Sequence, residues 1–420
     1  MRREAVTLED RYDLEKTHVL LNGTQALVRL MLMQKARDEK RGHKTAGYVT
    51  GYRGSPLGAV DMQMTLAKSY LDKADVKFHA GLNEDLAATA LWGTQQVHLR
   101  GDGRVDGVFG LWYGKGPGVD RSGDVMRHVN FAGTAPLGGV IMAMGDDHTG
   151  ESSTSLHQSD MTMIDSNMPI VSPAGVQEIL DLGLYGYALS RFCGLWVGLK
   201  TMKDTVEVTS VVNGDPERLQ FVEPKFDGPE DGLHIRLYES PVSQEARTLD
   251  YRRKAALAFA RANRIDKRVW GEKGAKIGFV AAGKNWLDLV HALDLLGFDE
   301  QSATAAGITT YKVAQVWPLD MESFREWAEG LDLIVVVEEK RKLIEGQIKE
   351  ALYNDPDRPR IYGGKKGGEI LFTEKYALDP VSIAAKLGQI IEEEGCGSDR
   401  LRAGLEKVQA GMRAPNAPTI

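Results

Sequence analysis

Apolar and polar residues follow two periods along the first half of the chain. Short apolar runs, typical of buried strands, alternate with segments whose apolar residues recur every three or four positions, typical of helices that face a core. The predicted strands are 45–52, 76–82, 105–111, 139–144, 169–173 and 195–201, and the predicted helices are 22 to about 42, 59–73, 84–100, 124–131 and 176–192. This alternation predicts an α/β domain with a parallel sheet, helices on both faces, and ligands bound beyond the carboxyl ends of the strands.

A second α/β pattern follows a change in composition. Residues 213–231 are rich in Pro, Gly, Asp and Glu, which predicts a linker, and 244–263 has the pattern of a bridging helix. Further strands are predicted at 276–283, 311–316 and 333–337, helices at 288–296, 321–329 and 380–393, and an extended end at 412–420. We therefore predict a domain at 1–212, a linker with its helix at 213–270, a smaller domain at 271–362, and a helix and linker toward a further domain at 363–420.

Composition and charge argue against several classes of function. The chain has 420 residues, 42% of them hydrophobic, which suits two or three globular domains, and its net charge is −7 with both signs intermixed. The lack of a basic stripe argues against a nucleic-acid partner, and no apolar run has the length of a membrane span or the position of a signal-peptide core. We therefore expect a cytoplasmic protein with neither a nucleic-acid nor a membrane partner.

The cysteines set a further limit. Cys193 and Cys396 are the only two and lie far apart in sequence, which fits neither a disulfide framework nor a cysteine-ligated zinc site. A cubane iron–sulfur cluster takes about four thiolates. We therefore expect that this chain alone does not hold such a cluster.

The stretch 78–90 contains the most informative carboxylate. Asn83 is a good helix N-cap, so the helix is predicted to begin at Glu84, directly after an apolar strand. Its buried face is predicted from residues at helical spacing, which are Leu86, Ala87, Ala90 and Leu91. Position alone leaves two interpretations: Glu84 complements the helix dipole, or it is a functional carboxylate at the mouth of a parallel sheet.

Two phosphate-binding patterns are present only in part. Gly101-Asp102-Gly103 followed by Asn130 has the spacing of the motif that holds Mg²⁺ and the pyrophosphate of thiamine diphosphate. That motif needs an apolar strand before it, whereas here a helix is predicted, and Asn130 lies within another helical pattern. The segment 114–118 lacks the Lys-Ser/Thr ending of a P-loop. We therefore interpret the first as a surface turn and predict no nucleotide hydrolysis from the second.

Several short segments together resemble one known family. The turn 51–56 (GYRGSP) resembles the YPGTP-like turn of a pyrimidine-binding domain, Asn83-Glu84 its catalytic Glu motif, 145–148 with Ser152-Ser153 its DDP…HSSQ segment, and 316–319 and 336–340 the WPL and VVEEK elements of a transketolase-C-like domain. The chain thus resembles the thiamine-diphosphate 2-oxoacid:ferredoxin oxidoreductases, most closely the N-terminal part of the long fused indolepyruvate ferredoxin oxidoreductases. Arg53 and Ser55 depart from the family's usual Pro and Thr.

This resemblance implies a pyrimidine-binding domain followed by a smaller transketolase-C-like domain, in an enzyme that oxidatively decarboxylates an aryl pyruvate such as indolepyruvate to an acyl-CoA. It implies that Glu84 is catalytic and hydrogen-bonds N1′ of thiamine diphosphate, with Gly51, Ser55 and Pro56 at the same cofactor. Mg²⁺, the iron–sulfur cluster and coenzyme A are expected on other domains or subunits. The implied partners are a pyrophosphate-binding domain or subunit, ferredoxin and a second copy of the chain.

For the substrate carboxylate, the resemblance calls for a hydroxyl and a nearby cation, and the candidates are Ser55 with Arg53 or Lys115. Ser55 before Pro56 also suits ordinary turn chemistry, and Arg53 also suits a solvent-facing ion pair. Both interpretations of these residues stay open at this point.

The run Asp146-Asp147-His148 has the residue types of a metal site. Neither His148 nor His157 has the helical spacing of paired metal ligands, and no second acidic cluster lies nearby in sequence. We therefore predict that the two aspartates cap backbone N–H groups and that this chain holds no metal.

Two other functions are compatible with this sequence. One is a thiamine-diphosphate decarboxylating enzyme with a different acceptor, such as a transketolase or a lipoamide-linked dehydrogenase, and the other is a non-catalytic partner subunit of the same fold. The presence of Glu84 argues against the second.

Overall fold

The structure is a computed structural model that describes residues 6–151 and 155–412. It divides the chain into two compact units, one ending at Asn263 and one beginning at Arg264. Both units are α/β and each contains a largely parallel sheet. The predicted fold class is confirmed.

The strands of the first unit form a parallel sheet and a separate antiparallel pair. They are β1 (His18–Asn22), β2 (Thr45–Gly51), β3 (Val76–Phe78), β4 (Gly107–Lys115), β5 (Val140–Asp146), β6 (Ile170–Val171), β7 (Val197–Met202) and β8 (Thr209–Asn213). In the sheet, the strands of this unit lie in the order β6, β7, β5, β4, β2, β3, and each neighbouring pair is parallel. β1 and β8 pair with each other, antiparallel.

The helices of this unit connect and cover the strands. They are α1 (Gly23–Lys40), α2 (Val60–Leu66), α3 (Lys68–Lys73), α4 (Glu84–Thr94), α5 (Gly116–Arg121), α6 (Gly123–Ala132), α7 (Asp160–Asp165), α8 (Val176–Cys193), α9 (Lys203–Val206), α10 (Pro241–Arg247) and α11 (Arg253–Ala262). A 3₁₀ turn covers Leu8–Arg11, and a π-helical segment, Thr248–Arg252, joins α10 to α11.

The central strands explain why the sequence shows continuous apolar runs. β5 is buried over its whole length and β4 is buried as far as Gly114, as expected for strands covered on both faces. α1 and α8 pack closely, because a Cβ on Gly183 would lie only 2.4 Å from Leu30 Cδ2. α11 adds Phe259, whose ring lies 5.4 Å from that of Tyr185 on α8. Residues 213–263 therefore pack with the first unit.

Two fully buried arginines tie irregular segments to the helices. Arg252 donates hydrogen bonds to the carbonyl oxygens of Leu233, Phe131 and Ala132 at 2.7, 2.7 and 3.0 Å. Arg29 donates hydrogen bonds to the carbonyl oxygens of Arg11 (3.0 Å) and Lys16 (2.8 Å), before β1, and of Gly214 (2.9 Å), after β8. Burial lowers the pKa of Arg252 to about 10, so its side chain stays charged at neutral pH. These donors satisfy carbonyl groups that no strand or helix pairs.

The second unit is smaller. Its strands are β9 (Lys267–Arg268), β10 (Ile277–Ala282), β11 (Ile308–Val313), β12 (Gln315–Trp317), β13 (Leu333–Val337), β14 (Arg360–Tyr362), β15 (Lys365–Lys366) and β16 (Glu369–Ile370), and its helices are α12 (Gly283–Leu295), α13 (Glu300–Ala305), α14 (Met321–Ala328), α15 (Leu343–Leu352), α16 (Pro380–Glu393) and α17 (Asp399–Met412). The sheet order is β14, β13, β10, β11, β9, parallel except for β9. β15 and β16 form a hairpin.

The VVEEK segment holds this second unit together. The Glu338 carboxylate accepts hydrogen bonds from the backbone N–H groups of Leu343 (3.0 Å) and Ile344 (2.9 Å), which are orphan donors at the start of α15. Glu339 accepts from Asn285 Nδ2 (3.2 Å) and from Leu378 N (2.9 Å). Both carboxylates therefore have structural partners within the unit.

Some predicted elements differ from those observed. α4 ends at Thr94 rather than at Arg100, and the region 363–420 contains α17 in addition to the predicted helix. β1 and β8 were not predicted. Part of the predicted extended end, 413–420, lies outside the described residues. Among the helices that the structure describes, none is long and apolar enough to cross a bilayer.

We predict that Arg252→Met destabilises the first unit by at least about 2 kcal/mol, because several buried carbonyl groups lose their donor. Chemical denaturation of the purified chain measures this. The same change at the exposed Arg104 serves as the control and should lie within about 0.5 kcal/mol of wild type. Equal unfolding midpoints for the two variants would contradict the role given to Arg252.

Candidate functional site

The candidate site lies at the carboxyl edge of the first sheet. Gly51 at the end of β2 is paired with Tyr113 on β4, and Lys115 at the end of β4 is paired with Gly145 on β5. The segments after these strands, which include the turn 53–58, therefore begin at neighbouring positions on one edge. Such an edge is where parallel α/β sheets bind ligands.

Glu84 is the first residue of α4 and lies on its buried face. The Asn83 side chain accepts a hydrogen bond from Leu86 N at 2.9 Å, which fixes the start of the helix as predicted. The buried residues of α4 are Glu84, Ala87, Ala88 and Leu91. The predicted face was partly wrong, because Leu86 is 52% exposed and Ala90 is also exposed. A carboxylate thus occupies the stripe that faces the sheet, and it is only 9% exposed.

The short helix α5 packs against Glu84. A Cβ on Gly118 would lie 2.5 Å from Glu84 Cγ and 2.7 Å from Oε1, so only glycine allows this approach. Trp112 Nε1 on β4 donates to the Glu84 carbonyl oxygen at 3.0 Å, and Arg121 on α5 pairs with Asp85 at 3.0 Å. The strand predicted at 105–111 is β4, which continues to Lys115, and α5 follows it directly.

The Glu84 carboxylate itself receives no hydrogen bond from the residues that the structure describes. Its backbone carbonyl is held by Trp112 and its side chain by packing against Gly118. Both carboxylate oxygens are therefore available for a hydrogen bond to a ligand. This is the arrangement of a positioned acid or base rather than of a structural ion pair.

Gly51 brings the loop before α4 onto the end of β2. Its carbonyl oxygen accepts from Gly81 N at 2.8 Å, and a Cβ on Gly51 would lie 2.1 Å from the Tyr113 carbonyl oxygen. The Tyr113 hydroxyl donates to Asp61 Oδ1 at 2.5 Å, and burial raises the pKa of this phenol. Trp112, Tyr113 and Gly118 were not predicted as site residues, and no sequence motif marks them.

The turn that contains Arg53, Ser55 and Pro56 lies beside Lys115. A Cβ on Gly54 would lie 2.8 Å from Lys115 Cδ, so the lysine stem crosses the turn. Pro56 is buried against the end of β5, since a Cβ on Gly145 would lie 3.0 Å from its Cδ. Arg53 and Ser55 are exposed and Lys115 is half-buried. The structure thus brings these four predicted residues together.

The aspartates after β5 bind backbone N–H groups, as the sequence predicted. Asp147 Oδ1 accepts from Gly150 N (2.9 Å) and Glu151 N (3.0 Å), and the Asp146 carboxylate accepts from Ser159 N at 3.0 Å. Ser152 and Ser153, part of the family resemblance, lie outside the described residues. Within the described ranges, no group of three or more His, Cys, Asp or Glu side chains is arranged to hold a metal ion.

His157 lies between two carboxylates. Its Nε2 is 2.8 Å from Asp120 Oδ2 on α5, and its Nδ1 is 3.6 Å from Asp146 Oδ1. The nearby Asp146 carboxylate, and after it Asp120, raise the pKa of His157 to about 8, which outweighs the lowering effect of burial. Burial of Asp146 raises the pKa of that carboxyl group, but the neighbouring imidazoles of His148 and His157 and the charge of Lys200 outweigh this effect, so the pKa lies far below its usual value.

The Gly101–Gly103 segment is an exposed turn, as predicted. Asn130 lies in the interior of α6, where its Nδ2 donates to the Ser166 carbonyl oxygen at 2.9 Å and its Oδ1 accepts from Trp196 N at 2.8 Å. Both polar atoms of the Asn130 side chain are therefore bonded to the backbone. These residues therefore do not form the metal and pyrophosphate site that their spacing resembles.

Comparison with known proteins points to one family. Residues 267–415 match the family model described as Indolepyruvate oxidoreductase domain. Over 358 residues the chain is 24% identical to the indolepyruvate oxidoreductase subunit IorA of Pyrococcus abyssi, covering 84% of this chain and 50% of that one. The corresponding subunit of Methanothermobacter marburgensis is 22% identical over 84% of this chain and 54% of its own length. The chain spans about half the length of these curated relatives.

Solved structures show the same fold. A 2-oxoglutarate:ferredoxin oxidoreductase from Magnetococcus marinus superposes with a TM-score of 0.63 at 14% identity, covering 89% of this chain and 65% of that one. A split-gene transketolase has a TM-score of 0.50 at 13% identity, covering 87% and 98%. The predicted resemblance to the indolepyruvate oxidoreductases is confirmed by the sequence comparisons, and the predicted α/β fold is confirmed by the structural ones.

We predict that Gly118→Ala moves the Glu84 side chain without unfolding the first unit. The new methyl group would take the space of Cγ, whereas alanine has the higher helix propensity by about 1 kcal/mol. A crystal structure and a thermal melt of the variant measure both effects. Gly93→Ala in α4, where a Cβ meets no atom within 4 Å, is the matched control and should leave Glu84 in place. An unmoved Glu84 in the Gly118 variant would contradict this packing.

Proposed function

We propose that this chain forms the pyrimidine-binding and transketolase-C-like part of a thiamine-diphosphate-dependent 2-oxoacid:ferredoxin oxidoreductase. The observation that carries the proposal is the Glu84 carboxylate, buried at the start of α4 and at the carboxyl edge of the sheet, yet receiving no hydrogen bond from the described residues. The similarity to indolepyruvate oxidoreductase subunits supports the same assignment. We further propose an aryl pyruvate of the indolepyruvate type as substrate, with an acyl-CoA as product.

The residues at this edge fit the aminopyrimidine end of thiamine diphosphate. A carboxylate with free acceptor capacity suits the ring nitrogen N1′, and Gly51 gives a backbone surface without a side chain beside it. Pro56 supplies an apolar, buried group at the start of the adjacent turn, and the Ser55 hydroxyl lies next to it. We therefore propose Glu84, Gly51, Ser55 and Pro56 as the residues that hold the cofactor.

When bound, thiamine diphosphate would supply the nucleophilic carbon and the electron sink for decarboxylation of a 2-oxo acid. The task of Glu84 would be to hold a proton at N1′ through a short hydrogen bond. Packing of its side chain against Gly118 fixes the carboxylate, so little side-chain freedom is lost when the bond forms. α4 and α5 exclude water from the inner side of this group.

Recognition of the substrate carboxylate would come from the neighbouring turn. Arg53 and Lys115 provide positive charges, and Ser55 provides a hydroxyl donor, within one stretch of surface. An arginine guanidinium binds a carboxylate through two parallel hydrogen bonds. We propose these three residues as the substrate-carboxylate site.

A second domain would complete the site. Leu82 and Leu86 are 86% and 52% exposed, and Ala90 is exposed one turn further along the same helix face. An apolar surface beside a buried carboxylate is typical of an interface. We propose that a pyrophosphate-binding domain or subunit covers this surface and that Mg²⁺, the iron–sulfur cluster and coenzyme A bind outside this chain. We also propose ferredoxin as electron acceptor and a homodimer in the cytoplasm.

We predict that Glu84→Gln, made in the complete complex, slows exchange of the C2 proton of thiamine diphosphate by roughly 10²-fold or more, because positioned proton transfer contributes about that much. Exchange is measured by NMR after quenching. Glutamine keeps the size of the side chain, so the thermal melt should not change. Asp102→Asn is the control and should exchange at the wild-type rate, because Asp102 lies on an exposed turn.

Normal exchange in the Glu84 variant would remove this residue from the mechanism. If Glu84 only complemented the helix dipole, the variant would instead lose at most about 1 kcal/mol of stability and keep its turnover. Proton exchange and thermal stability are measured separately on one sample, so the two interpretations of Glu84 can be distinguished.

We predict that Leu86→Glu weakens binding of the pyrophosphate-binding domain by at least tenfold, about 1.4 kcal/mol, because a charge is placed in an apolar contact. Analytical ultracentrifugation of the complex measures the dissociation constant. Leu287→Glu, at a site on α12 that is 51% exposed, is the control. Equal affinities for the two variants would show that the Leu86 surface is not the interface.

A further inference from the structure

The short helix α5 lies between the side chains of His157 and Glu84. Successive residues of an α-helix are rotated by about 100°, so Gly116 and Gly118 face nearly opposite sides. A Cβ on Gly116 would lie 2.1 Å from His157 Nδ1, and a Cβ on Gly118 would lie 2.5 Å from Glu84 Cγ. The backbone of α5 is therefore in direct contact with the His157 ring on one side and with Glu84 on the other.

Each side of α5 also has a charged contact. Asp120 lies one turn after Gly116, on the same side, and its Oδ2 is 2.8 Å from His157 Nε2. Arg121 lies three residues after Gly118 and pairs with Asp85, the neighbour of Glu84, at 3.0 Å. If α5 moved away from His157, its contacts with Glu84 and Asp85 on α4 would therefore change as well.

The His157 ring also lies beside groups that are not part of α5. Its Nδ1 lies 3.6 Å from Asp146 Oδ1, at the end of β5, and 3.4 Å from Ser159 Oγ. Asp146 is 1% exposed and accepts from Ser159 N and Oγ, so it does not move with α5. Lys200 Nζ lies 3.8 Å from Asp146, as does His148 Nε2. Lys200 also pairs with Asp160 at 2.6 Å.

We propose that His157 is a positioning residue that links Asp146 to Asp120, holds α5 against α4 and thereby fixes the Glu84 carboxylate. The clamp itself is a property of this chain. Its consequence for catalysis rests on the function proposed above for Glu84.

The charge state of His157 gives this clamp a pH dependence. His157 forms ion pairs with both carboxylates only when its ring is protonated, and its pKa is raised from 6.5 to about 8, chiefly by Asp146. A histidine with a raised pKa stabilises the folded arrangement fully below its unfolded pKa, and this stabilisation is lost as the pH rises through the folded pKa. The clamp is therefore complete below pH 6.5 and weakens as the pH passes about 8.

Hydrogen–deuterium exchange of the 420-residue chain, without cofactor, tests the clamp. Amide protection of α5, corrected for the intrinsic pH dependence of exchange, should fall by up to about 30-fold from about pH 6 to about pH 9, the ratio that this pKa shift allows. In His157→Asn, protection of α5 should be low throughout and independent of pH. The control is His128→Asn, an exposed histidine on α6, which should match wild type.

A second variant distinguishes a local loss of the clamp from a general folding defect. Asp120→Asn leaves His157 and Asp146 in place but weakens the bond to α5, so it should reproduce the local loss of protection with an unchanged thermal melt. Wild-type protection of α5 in both variants, or protection that does not change with pH in the wild type, would overturn the proposal.

Activity of the complete complex separates this inference from the proposed function. Wild-type kcat should fall as the pH rises past about 8, and His157→Asn should lower kcat, leave KM for the 2-oxo acid unchanged and remove that alkaline fall. If α5 loses protection while kcat stays normal, the clamp exists but Glu84 lacks the proposed role. If protection is normal and kcat falls, the clamp is wrong.

Discussion

The arrangement at the carboxyl edge of the first sheet depends on a close approach of two helices. α5 has no side chain at Gly116 or Gly118, so its backbone touches His157 on one side and Glu84 on the other. A buried carboxylate with no hydrogen-bond donor among the described residues is unfavourable by itself, and the surrounding fold has to hold it in place. The N-cap of α4, the indole of Trp112 and the packing of α5 supply that support. Stability elsewhere in the unit offsets the burial of this one group, as is common at functional sites.

Much of this arrangement is predictable from the sequence, and the failures have physical reasons. The strands were recognisable because β4 and β5 are covered on both faces and are therefore apolar along nearly their whole length, with a charged residue only at the last position of each. Asn83 marked the start of α4. The buried face of α4 was partly misassigned because two stripes share Ala87 and Leu91, and only the contact with β4 decides between them. α17 was missed because its buried positions, Leu401, Gly404 and Val408, are few and lie among charged residues.

The contacts of the site were less predictable than its position. Gly118 and Gly116 look like ordinary loop glycines in sequence, and their role follows only from what lies within 3 Å of a Cβ built on them. The pairing of His157 with Asp120 spans 37 residues, so no local pattern indicates it. By contrast, Gly51 lies at the end of a predicted strand, Pro56 and Lys115 follow predicted strands, and neighbouring parallel strands bring their ends together.

The proposed function makes Glu84 the contact between this chain and the aminopyrimidine of thiamine diphosphate. The most direct test is an experimental structure of the complete complex with the cofactor bound. In that structure we expect a Glu84 carboxylate oxygen at hydrogen-bond distance from N1′ of the cofactor, about 2.6–3.2 Å. A cofactor bound with its aminopyrimidine more than about 5 Å from Glu84, or on a different edge of the sheet, would contradict it.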